Sequence, residues 1–137
     1  MLNANHRSRV RLLAALAASV AAACASEPAS HVDSDVAFEY RTRIETGRIH
    51  PQWELTRVSR RLDQPSRLAH EVHVPPEAAG DLMMLGTRER GEKVASIACP
   101  PSDDPIWQEL QDGQDVEIDM FSDNGRFDTV SCRQRLF

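Results

Sequence analysis

The sequence has little of the material from which most catalytic sites are built. It holds no G-x-S-x-G run to present a serine at a strand-to-helix turn, and no glycine-rich loop to cradle phosphate. Only six glycines occur in 137 residues, most of them at turns, which leaves little backbone for a cofactor loop. No C-x-x-C or Cys/His spacing suits zinc, and the ordered Asp/Asn/Gly pattern of a calcium loop is missing around Asp123, Asn124 and Asp128. Basic residues cluster only at Arg57, Arg60, Arg61 and Arg67, too sparsely for a phosphate-binding face in a net acidic chain. The longest apolar run falls well short of the roughly 20 residues that span a bilayer. Outside that run there is no repeat or low-complexity segment.

What is present begins with that run. Arg7, Arg9 and Arg11 precede Leu12 to Ala23, about a dozen residues almost without a polar atom. A basic segment followed by a short apolar one is the pattern of a secretory signal. Ala21-Ala22-Ala23 before Cys24 resembles the lipobox of bacterial lipoprotein precursors, with Ala21 standing where that pattern favours Leu. The resemblance covers the targeting segment alone. It implies cleavage before Cys24, lipid attachment at that cysteine, and, with Ala25 rather than Asp following, an outer-membrane position facing the periplasm. Ala23-Cys24-Ala25 also offers an ordinary A-x-A cut, which would give a soluble secreted or periplasmic chain.

Cleavage changes the electrostatics. Without residues 1–23 the chain keeps 13 of its 16 basic residues and all 21 acidic ones, a net charge of −8. The excess lies almost wholly beyond Pro76, where six basic residues face thirteen acidic ones. Such a chain is a poor ligand for nucleic acid or anionic lipid, so contact with a membrane has to come through lipid on Cys24. Three cysteines are an odd number for an exported protein. Pairing Cys99 with Cys132 in an oxidising compartment leaves only Cys24, where the lipid would go.

Along the chain, residues 24–35 read as a flexible tether and 36–137 as one disulfide-stapled domain. Val36, Phe38, Tyr40, Thr42 and Ile44 alternate with polar neighbours, which predicts a strand. A second strand is expected over 52–62, with a change of parity near Thr56 that suggests a bulge. A third carries Leu68, His70, Val72 and Val74. Leu82 to Leu85 and Lys93 to Cys99 read as further strands, although length alone leaves helix open for the first. Asp104-Pro105 has the chemistry of a helix start, and Ile106, Trp107 and Leu110 follow at helical spacing. The last stretch is a hairpin turning at Asp123-Asn124-Gly125, with Ile118 opposite Val130, Val116 opposite Cys132, and Phe121 opposite Phe127. About seven short strands and one short helix point to a mainly β fold. A small antiparallel sandwich leads, with a small barrel as the alternative.

Candidate chemistry is thin. His70-Glu71-Val72-His73 is not the H-E-x-x-H zinc pattern, and on a strand the two histidines face opposite ways. His70 shares a face with Leu68 and Val72, which suits a core-edge histidine bonded to backbone. The acidic pairs read as a solvated face, and the arginine cluster as an internal offset to the acidic second half. Glu117 and Asp119 beside an outward Phe121 and Phe127 form the one partner surface the pattern offers. The expected function is a non-enzymatic protein-binding or accessory module of the cell envelope, with no cofactor or metal. An inhibitor of a basic exported hydrolase such as lysozyme is the alternative, and a small hydrolase ranks last because no nucleophile–base set can be named.

Overall fold

The computed structural model describes residues 31–136, so the expected signal segment, the cleavage site and Cys24 lie outside the described residues. A single five-stranded mixed sheet organises the domain, in the order β1-β2-β3-β4-β5. Its strands are β1 (Gly47–His50), β2 (Trp53–Arg60), β3 (Arg67–His73), β4 (Asp115–Ser122) and β5 (Gly125–Ser131). Neighbours run antiparallel except β3 and β4, which are parallel. A parallel pair needs a long crossover, and α2 (Pro76–Met84), α3 (Thr87–Ala98) and α4 (Ile106–Glu109) supply it. The sheet is open, with β1 and β5 at its edges, so neither the barrel nor the two facing sheets of a sandwich is present among the described residues.

Three expected strands, 36–44, 82–85 and 93–99, fall in helices. Residues 36–44 lie in and just beyond α1 (Ser34–Arg43), whose start is capped by the Asp33 carboxylate accepting from the Asp35 amide at 2.8 Å. Asp35 in the first turn and Arg41 and Arg43 in the last complement the helix dipole. The period that wins is Val36/Ala37, Tyr40, Ile44, the set that packs on the core, while Phe38 stays 59% exposed. Residues 93–98 likewise form the end of α3, where Val94, Ala95 and Ala98 face inward. Leu82 ends up inside α2, which begins with Pro76 in the first turn, where a missing amide costs nothing. Val32 is fully buried and its amide donates to Pro65 O at 2.9 Å, so the folded part takes in residues ahead of the expected start at Val36.

The remaining expectations fare better. β2 and β3 lie where alternation put them, and the β2–β3 register shifts between Leu55 and Arg57. Asp104 Oδ1 accepts from the Ile106 amide at 2.9 Å and starts the single turn of α4, which drives Ile106 and Leu110 into the core. In the hairpin, Ile118 pairs with Val130, and the Cys132 amide donates to Val116 O. Gly125 takes φ +101°, as the turn requires. The Cys99–Cys132 disulfide closes between the end of α3 and the end of β5, with Cα atoms 5.6 Å apart.

One core joins both layers. Leu55, Val58, Leu68, Val72, Ile118 and Val130 from the sheet meet Tyr40, Leu82, Val94 and Ile106 from the helices. Because strand side chains alternate, the helix-facing set leaves Asp115, Glu117 and Asp119 of β4 on the opposite face.

Candidate functional site

That opposite face carries a row of acids at the centre of the sheet. Period-two spacing on β4 stacks Asp115, Glu117 and Asp119 on one side, and the parallel register sets Arg67 beside Asp115 and Ala69 beside Glu117. Arg61, just past β2, reaches across β3 to the row. Its Nη1 lies 3.2 Å from Glu117 Oε2 and 3.1 Å from Asp119 Oδ1, while Nη2 holds Asp63 at 3.1 Å. Arg67 bridges Asp115 at 3.4 Å and Glu117 at 3.5 Å. From the β5 side, Arg126 contacts Asp119 at 3.4 Å and the Thr129 hydroxyl donates to it at 2.7 Å. Asp115 also accepts from the Ser131 hydroxyl and from the Arg133 amide.

Three carboxylates thus sit among three guanidinium groups, and the row is largely closed to water. Asp115 is 1% exposed and Asp119 5%. Burial pushes the Glu117 carboxyl above its usual range, against the pull of Arg67 and Arg61. The bond to Asp63 raises Arg61 further. Such a lattice fixes side chains in place; it does not offer free carboxylates to a substrate or ion. The outer parts of the arginines are what solvent meets, with Arg57 and Arg126 the most open of them.

The sequence-derived partner surface is therefore rearranged. Glu117 and Asp119 do stand together, but as interior members of the ion lattice. Phe121 and Phe127 do not form an outward pair: the register shifts after Met120, Phe121 lies opposite Arg126, and Phe127 packs against the core. Asp128 is engaged by Arg90 at 2.6 Å and Asp123 by His73 at 3.4 Å. Among the described residues no group of three or more His, Cys, Asp or Glu side chains is placed to hold a metal ion. Nor is any helix there long and apolar enough to cross a membrane.

His70 lies on the helix-facing side, 3% exposed, as a core histidine bonded to backbone. Its Nδ1 is 3.3 Å from Ala98 O and its Nε2 is 2.7 Å from the Tyr40 hydroxyl. A carbonyl only accepts, so the proton belongs on Nδ1 and Nε2 accepts from Tyr40. Burial holds the ring's pKa down at about 4, although Ala98 O and Asp104 pull the other way. Both nitrogens of this neutral ring are bonded within the core. Sequence reasoning missed Tyr40 because its segment reads as a strand, and it did not single out Arg61 from its neighbours, although the opposition of basic and acidic stretches pointed to such an offset.

No protein-family model, curated protein or solved structure matches this chain.

Proposed function

We propose that the chain is a non-enzymatic binding module of the cell envelope, exported by residues 1–23, held at the outer membrane by lipid on Cys24, and engaging a protein partner through the open face of its sheet. The observation that carries this reading is the charge lattice on that face. A rigid, internally neutralised floor under outward arginines and hydroxyls is suited to polar recognition, because its side chains lose little further freedom on binding. The inhibitor reading needs free acid groups to meet a basic hydrolase, and the commitment of Asp115, Glu117 and Asp119 to arginines weakens it.

Intact mass of the protein purified from membranes without reductant tests the address: the expected value is a start at Cys24 plus acyl groups, less two hydrogens. A photocrosslinker at Arg57 or Thr129 on the open face, compared with one at Glu89 on α3, tests the surface in cells making the full chain. A discrete adduct from the sheet positions alone is expected. Adducts only from Glu89, or from none of them, would remove the open face as the partner surface.

A further inference from the structure

A second feature lies on the other layer, where the end of α1, β1 and the end of α3 border a solvent-open cleft of about 380 Å³. Its walls are aliphatic: Ile44, Ile49, Leu55 and Ile97, closed off by Pro100 and Pro101. His70 lies at its inner end, neutral and already bonded on both nitrogens. An apolar body laid against these walls would remove aliphatic surface from water, which is favourable.

The rim is polar and unequal in charge. Arg43, Glu45 and Asp104 line it. Arg43 is held between Asp104 at 3.2 Å and Glu109 at 3.3 Å, so its one positive charge is matched within the structure. Glu45 has no salt-bridge partner among the described residues, and Glu109 Oε2 is buried without a hydrogen bond. Two carboxylates, Glu45 and Asp104, against the one guanidinium of Arg43 leave a negative rim over an aliphatic interior. An anionic head group would be repelled there, and a neutral one would leave the excess unanswered.

We infer that this cleft is a binding site for a small aliphatic amine, its chain against Ile44, Ile49, Leu55 and Ile97 and its ammonium at the rim beside Glu45 and Asp104. The volume lies at the low end for ligand pockets, which fits a short chain and excludes a whole lipid. The site is separate from the open sheet face and does not depend on it.

The test is an NMR titration of the purified protein, disulfide intact, at pH 7 with n-hexylamine, and in parallel with hexanoate and hexanol. Saturable shifts at the Ile44, Ile49 and Ile97 amides are expected with the amine, in about the millimolar range for a probe of so few atoms. Hexanoate should bind at least about tenfold more weakly, and Glu45→Gln should weaken the amine several-fold while leaving the spectrum otherwise folded. Absence of saturable shifts, shifts confined to other residues, or equal binding of hexanoate and hexanol would each overturn the assignment. The Glu45 substitution is at an exposed position, so an unchanged affinity in that variant counts equally against it.

Discussion

The Tyr40 hydroxyl donates to His70 Nε2 at 2.7 Å, and the two rings stack with centroids 5.6 Å apart. Tyr40 is on α1, His70 on β3, and the second nitrogen of His70 bonds the last turn of α3. One ring therefore ties three elements that are remote in sequence. Each polar atom in the chain of bonds is satisfied, which is the condition for burying it at low cost.

Acid should weaken this junction. The unfolded chain binds a proton on His70 near the ordinary value of 6.5, whereas the folded state resists protonation down to about 4. Between those values the unfolded state holds more protons, so stability falls as pH drops through that window, by up to about 3 kcal/mol from this group. Above pH 7 its contribution is flat. The charged and titratable groups facing the Tyr40–His70 pair are Arg43 and Asp104. Glu117, held above its usual range by burial, acts with the opposite sign. Urea denaturation at pH 7.5 and 4.5 should therefore be compared with a His70→Gln variant, which should lose most of the difference between the two.

Removing the hydroxyl isolates the bond from the packing. Tyr40→Phe leaves Nε2 of a buried ring without a donor and should cost about 1–3 kcal/mol. Tyr40→Ala also opens a cavity at a fully buried position and should cost about 3–5 kcal/mol. Chemical denaturation of both variants checks the order. Equal losses would mean the ring packing adds nothing, and an unchanged midpoint in Tyr40→Phe would mean the hydroxyl contributes nothing.

Much of this arrangement was legible before the fold was known, and the rest was hidden for physical reasons. His70 shares the alternating apolar face of Leu68 and Val72, so its burial could be read directly. The cysteine pair followed from counting thiols under the expectation of export. Val36 to Ile44 deceived because it satisfies two periods at once: alternation picks out Phe38 and Thr42, which are solvent-facing, while the three-to-four spacing of Ala37, Tyr40 and Ile44 reaches the core. The Asp33 cap was the local signal that decides for helix. Lys93 to Cys99 deceived for a related reason. Read alone it is a short apolar stretch, and only with Thr87 to Glu92 does it extend to a helix length. The acid row was read as a solvated face because sequence cannot show that Arg61 reaches over β3 to cover it.

The Cys99–Cys132 bridge spans a sequence separation of 33 and pins the end of α3 to the end of β5. Closing a loop of that size restricts the unfolded chain by roughly 3–4 kcal/mol in the chain-entropy account. Replacing both cysteines by alanine, which avoids burying a new hydroxyl at Cys132, should lower the urea midpoint and raise the slope, since the unfolded chain without the cross-link exposes more surface. A midpoint that did not move would show that helix–sheet packing alone sets stability.

The ion lattice should behave unlike an ordinary surface pair. Asp119→Ala removes contacts to Arg61, Arg126 and Thr129 together and leaves Arg61, whose side chain is 10% exposed, with Glu117 and Asp63 as partners. A loss of about 2 kcal/mol is expected, short of what a fully isolated buried charge would suffer because those partners remain. Arg61→Ala should cost a similar amount, and the double variant should cost clearly less than the two losses added, since each single change strands the other's charge. Arg88→Ala breaks the exposed pair with Glu92 on α3 and should leave the midpoint where it was. Additive losses at Arg61 and Asp119 would show the two sites to be independent, and the face would then lose the preorganised floor on which its binding role depends.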